Sequence, residues 1–99
     1  MQQKDIRQIQ NLLLDQLPFL ANRYGVASLG LFGSYVRHEN QPDSDLDILV
    51  RFAETPSLLR FIELENYLSD LLGIKVDLVM PDTLKPQIGK KILKEVIPI

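Results

Sequence analysis

Two seven-residue apolar runs, Val26–Phe32 (VASLGLF) and Leu46–Phe52 (LDILVRF), constrain the fold of this chain more than any other feature. Each is too short for a buried helix and rich in residues that suit a pleated surface, so each reads as a strand. They are flanked by stretches of a different period. Ile6, Ile9, Leu13 and Leu17 fall at steps of three and four, which predicts a helix from Gln3 to Leu17. Pro18 interrupts the ladder and opens a further turn over Phe19–Arg23, and Tyr24-Gly25 reads as the stop. After the second run, Thr55-Pro56 reads as N-cap and first helical residue of a helix that ends at Leu72-Gly73. A third strand is expected at Lys75–Val79. Past Pro81 and Pro86, the spacing of Ile88, Ile92, Leu93 and Val96 predicts a last amphipathic helix.

This order implies an α/β (α+β) domain: a small mixed β-sheet flanked by helices. Residues 1–99 fit a single domain, with no internal repeat and no sign of a second. The opening MQQKDIRQIQ lacks the apolar core of a signal peptide, and no apolar run approaches a membrane span. There is no cysteine, which excludes disulfides, thiolate metal sites and cysteine nucleophiles and suits the cytoplasm. A single histidine, His38, leaves little for histidine-based metal or triad chemistry. The net charge of −2 argues against direct nucleic-acid binding through a global field.

The chemistry lies between the two runs. Gly33-Ser34 ends the first strand, and the SYVR segment after it suits one helical turn. A glycine there leaves room for a phosphate, and a turn that follows a strand offers backbone N–H groups to an anion. Ser34 adds a hydroxyl; Arg37 either meets a phosphate or joins a structural ion pair. His38–Ser44 reads as a loop, with Asp43 and Ser44 as loop and cap residues. At the start of the second run, Asp45 and Asp47 stand two apart and are expected to share a face. Asp77 sits amid apolar residues in KVDLV. It either joins that pair or is an edge-strand residue balanced by Lys75, Lys90 or Arg37. Clustered carboxylates repel unless a cation or a proton intervenes, and oxygen-only ligation suits Mg²⁺ or Mn²⁺. Tyr24, Tyr35 and Tyr67 read as packing residues, and Lys85, Lys90, Lys91 and Lys94 as a solvated helix face.

With these residues in view, GLFGSYVRHENQPDSDLDILVRF resembles the minimal nucleotidyltransferases of the DNA polymerase β superfamily. Their signature sets Gly-Ser a fixed distance before Asp-x-Asp; here ten residues separate Ser34 from Asp45. The chain is also similar to MntA-type antitoxins, which are paired with HEPN-domain toxins. The resemblance implies Asp45, Asp47 and Asp77 as catalytic, metal-holding carboxylates, with Gly33, Ser34 and Arg37 binding the nucleotide. It further implies ATP as substrate, Mg²⁺ or Mn²⁺ as cofactor, and transfer of AMP to a hydroxyl, a tyrosine's by resemblance, of a partner HEPN ribonuclease. Two rivals are an antitoxin that silences its toxin by binding alone, and nucleotide addition to RNA. Where the family usually reads Gly-Ser-x-Ala-Arg-Gly, this chain has Val36 and His38 for the alanine and the last glycine.

Overall fold

The computed structural model describes residues 5–99 and shows four strands and three helices. α1 (Ile6–Tyr24) leads into β1 (Val26–Phe32); β2 (Leu46–Phe52), α2 (Leu58–Leu72), β3 (Val76–Val79), α3 (Pro86–Glu95) and β4 (Ile97–Pro98) follow. The strands lie in the order β3-β2-β1-β4. β1 runs antiparallel to β2 and β4, and β2 runs parallel to β3, so the sheet is mixed. Among the described residues, no helix is long and apolar enough to cross a membrane.

The two faces of the sheet are covered unequally. Leu29 and Leu31 of β1 and Leu46, Ile48 and Val50 of β2 meet Ile9, Leu13 and Leu20 of α1 and Leu64, Leu68 and Leu72 of α2. This is the larger core, and burying its apolar area supplies most of the driving force for folding. On the opposite face, among the described residues, only Phe32 and Leu49 of the sheet and Ile92 of α3 are buried together. Val79, Leu84 and Val96 pack partly buried against them, and the candidate site lies on the same face, where Asp47 stands beside Phe32 and Asp77.

Both predicted strand runs appear with the expected limits, and the third strand lacks only Lys75. Three expectations are corrected. The first helix does not pause at Pro18 but runs unbroken from Ile6 to Tyr24. Proline removes one donor, to the carbonyl of Leu14, and Leu14 is exposed so that water can satisfy it. The helix is started by Asp5 and Gln8 in a reciprocal capping box, while Gln3 lies outside the described residues. α2 is capped by Ser57, whose hydroxyl accepts the Arg60 N–H, and not by Thr55; Pro56 precedes the cap. Finally, β4 was not expected: two residues pair with Gly30 and Leu31 at the sheet edge.

α2 also protects the other edge of the sheet. Glu65 Oε2 accepts the N–H of Leu78, and Ser69 Oγ accepts that of Val76. Both N–H groups belong to β3, the edge strand, and would otherwise offer a template for pairing.

Candidate active site

The site is built where β1 ends, β2 begins and β3 passes alongside. Asp47 lies opposite Phe32 on one side and Asp77 on the other, so the three form one row across the sheet. In a parallel pair, residues in register share a face, which brings the carboxyl groups of Asp47 and Asp77 together. Asp47 is half-buried and Asp77 exposed. Asp45 is exposed and precedes β2 by one residue, so strand alternation does not hold it to that face. Its charge still reaches Asp47. Among the described residues, no three His, Cys, Asp or Glu side chains stand close enough to hold a metal ion. The three aspartates are neighbours, but they do not form a closed ligand cluster.

Their electrostatics are those of a crowded anion site. The pKa of Asp47 is raised from 3.8 to about 6, first by burial and then by the charges of Asp77 and Asp45. Arg37 opposes this only weakly. A divalent cation would relieve both causes, and carboxylate oxygens suit magnesium or manganese. The donor chemistry therefore fits such an ion.

The Gly-Ser turn differs from expectation in an informative way. Gly33 has φ +86°, and a Cβ added there would lie 2.9 Å from Asp47 Cγ. The glycine thus makes room for the Asp47 carboxylate as well as adopting a left-handed backbone. Its N–H is not free: it donates to Glu95 Oε2 at 2.8 Å. Arg37 is paired with Glu95 Oε1 at 2.8 Å and with Glu39 at 3.1 Å, and with none of the three aspartates. The hydrogen bond to Arg37 is the main reason that the Glu95 carboxyl titrates below its ordinary range. The turn itself is helical in kind, with Val36 and Arg37 N–H groups donating to the Gly33 carbonyl and that of Glu39 to Ser34. Ser34 is half-buried beside it.

Two residues near the site carry more than the sequence suggested. His38 has φ 59°, the only positive φ outside glycine among the described residues. This explains why the family usually places glycine there. Tyr35 is buried in the large core as expected, but its hydroxyl has no hydrogen-bond partner. Its pKa is raised by burial and, secondarily, by the Asp45 charge. Glu95 was missed altogether, because nothing in a helix-end glutamate reveals that it meets residues 58 and 62 positions away.

The nucleotidyltransferase domain family model matches residues 13–99. The chain belongs to that family. It is 53% identical over 92 residues to the protein adenylyltransferase MntA of Thermococcus cleftensis, covering 93% of each chain. Among solved structures, it resembles one described as a minimal nucleotidyltransferase, with a TM-score of 0.80, 35% identity and 97% of each chain covered. It also resembles one chain of a structure described as tri-AMPylated Shewanella oneidensis HEPN toxin in complex with MNT antitoxin, with a TM-score of 0.59 and 26% identity over 93% of this chain and 66% of that one. The chain is therefore a nucleotidyltransferase with the polymerase β-like minimal fold.

Proposed function

We propose that this protein is an antitoxin that transfers AMP from ATP to a tyrosine hydroxyl of a partner HEPN ribonuclease and so inactivates it. The observation that carries the reading is the row of Asp47 and Asp77 in register on adjacent parallel strands, with the Gly33-Ser34 turn closing over it. The likeness to MntA and to the AMPylated toxin complex supports the same reaction and the same kind of partner.

In this reading the attacking hydroxyl oxygen forms a bond to the α-phosphorus of ATP. The bond from that phosphorus to the bridging oxygen breaks, and pyrophosphate leaves with the electron pair. Asp77, exposed at the sheet edge, takes the hydroxyl proton. Ser34 donates its hydroxyl to the triphosphate, and Arg37 and the helical turn that follows Gly33 hold the phosphates in line. Asp45, Asp47 and Asp77 would hold Mg²⁺ or Mn²⁺, which when bound neutralises the developing charge. The protein contributes mainly position and electrostatics, as in other phosphoryl transfers. In this reading the protein works in the cytoplasm, which a chain without cysteine suits.

The test is incubation of the purified protein with α-labelled ATP, magnesium and the HEPN partner, followed by mass spectrometry of the partner. AMP on a partner tyrosine is the expected result. A tight complex without label supports neutralisation by binding alone, and label on RNA supports nucleotide addition.

A further inference from the structure

Glu95 is the last residue of α3, and the chain passes from it through Val96 directly into β4. Its two carboxylate oxygens meet two different parts of one turn: Oε2 accepts the Gly33 backbone N–H, and Oε1 accepts the Arg37 guanidinium, each at 2.8 Å. Bonds within the turn fix its internal shape. Glu95 ties that shape to the sheet.

The backbone that carries Glu95 is held against β1, the strand that leads into Gly33. Ile97 pairs with Leu31 and Pro98 with Gly30, and the Ile99 N–H donates to the Leu29 carbonyl. Val96 fills the space over Gly30, where an added Cβ would meet Val96 Cγ2. Here the carboxylate is fixed to the same strand as the turn it holds, and its side chain is only 20% exposed.

We infer that Glu95 is a positioning residue for nucleotidyl transfer: it clamps the Gly33 amide over Asp47 and holds Arg37 so that its remaining N–H groups face the nucleotide phosphates. The inference rests on the reaction proposed above. Glu95 acts through Gly33 and Arg37 and need not touch substrate. Charge-assisted hydrogen bonds of this type are the stronger ones, which suits a clamp.

The test compares the wild-type chain with Glu95→Gln, which keeps the shape and one acceptor, and Glu95→Ala. Exchange of the Gly33 amide is followed by NMR, and KM and kcat for ATP are measured with the HEPN partner present. The clamp predicts faster Gly33 exchange in the alanine variant and a KM for ATP raised about tenfold, the size expected when a misplaced Arg37 loses one charge-assisted hydrogen bond to the phosphates. Glu95→Gln falls between the two. Unchanged Gly33 exchange, or a KM that is unchanged or lower in Glu95→Ala, overturns the inference. A wild-type protein that transfers nothing counts against the reaction instead, while the exchange measurement still decides what Glu95 does.

Discussion

Gly33 lies so close over Asp47 that an added Cβ would overlap its carboxylate. The most crowded anion of the site is thus roofed by the residue that follows β1. Asp47 is shaped by this closeness and by Asp77 beside it, and each consequence is measurable.

Replacing Gly33 with alanine introduces two faults at once, a clash with Asp47 and a side chain at φ +86°. Strain of the second kind alone costs about 1–2 kcal/mol. Gly33→Ala should lower the Tm measurably and abolish AMP transfer, because the Asp47 carboxylate must move aside. Calorimetry and the labelled-ATP assay check the two parts separately.

Asp47 links stability to pH. Its folded pKa of about 6 lies above the ordinary 3.8, so the folded state binds its proton more tightly than the unfolded chain does. The stability due to this group is fully present below the ordinary value and is lost as pH rises through about 6. Asp47→Asn should remove that loss, making the variant more stable than wild type at pH 7.5. Discounted for the half-exposure of the side chain, the gain is about 1 kcal/mol, or roughly 4–8 °C in Tm. Added Mg²⁺ or Mn²⁺ should raise the wild-type Tm above pH 6 and lose its effect below it, where the proton competes. Thermal melts of both proteins across pH, with and without metal, test the sign.

The elements differ in how visible they were. The limits of β1 and β2 were legible because short apolar runs bounded by turn residues have few other interpretations. The strand register that sets Asp47 beside Asp77 was anticipated only as a condition, since alternation within a strand says nothing of its neighbour. Pro18 misled because proline's cost in a helix depends on whether the orphaned carbonyl reaches water. β4 and Glu95 were invisible for one reason: their partners lie far back in the chain, and two paired residues leave no periodic signature.

His38 holds a left-handed backbone that glycine adopts freely. His38→Gly should therefore be neutral to stabilising, by up to about 1 kcal/mol, the relieved strain being partly offset by the freer unfolded chain. Equilibrium urea unfolding would show it, and a loss of stability would mean that the imidazole makes a compensating contact.

Glu65 accepts the outward N–H of Leu78 at the sheet edge. Glu65→Ala should cost roughly 1–3 kcal/mol by leaving that donor without its charged acceptor. It should also raise the tendency to self-associate through the uncovered β3 edge. Urea unfolding and light scattering at increasing concentration follow the two effects.

The account stands on the carboxylate row. Its most direct test is the rate of AMP transfer from labelled ATP to the HEPN partner by wild type, Asp45→Ala and Asp47→Ala, with folding confirmed by circular dichroism. The prediction is that both variants stay folded and that transfer falls by about a hundredfold or more, the scale on which removing a charge-stabilising group acts. Wild-type-level transfer by either folded variant would contradict it.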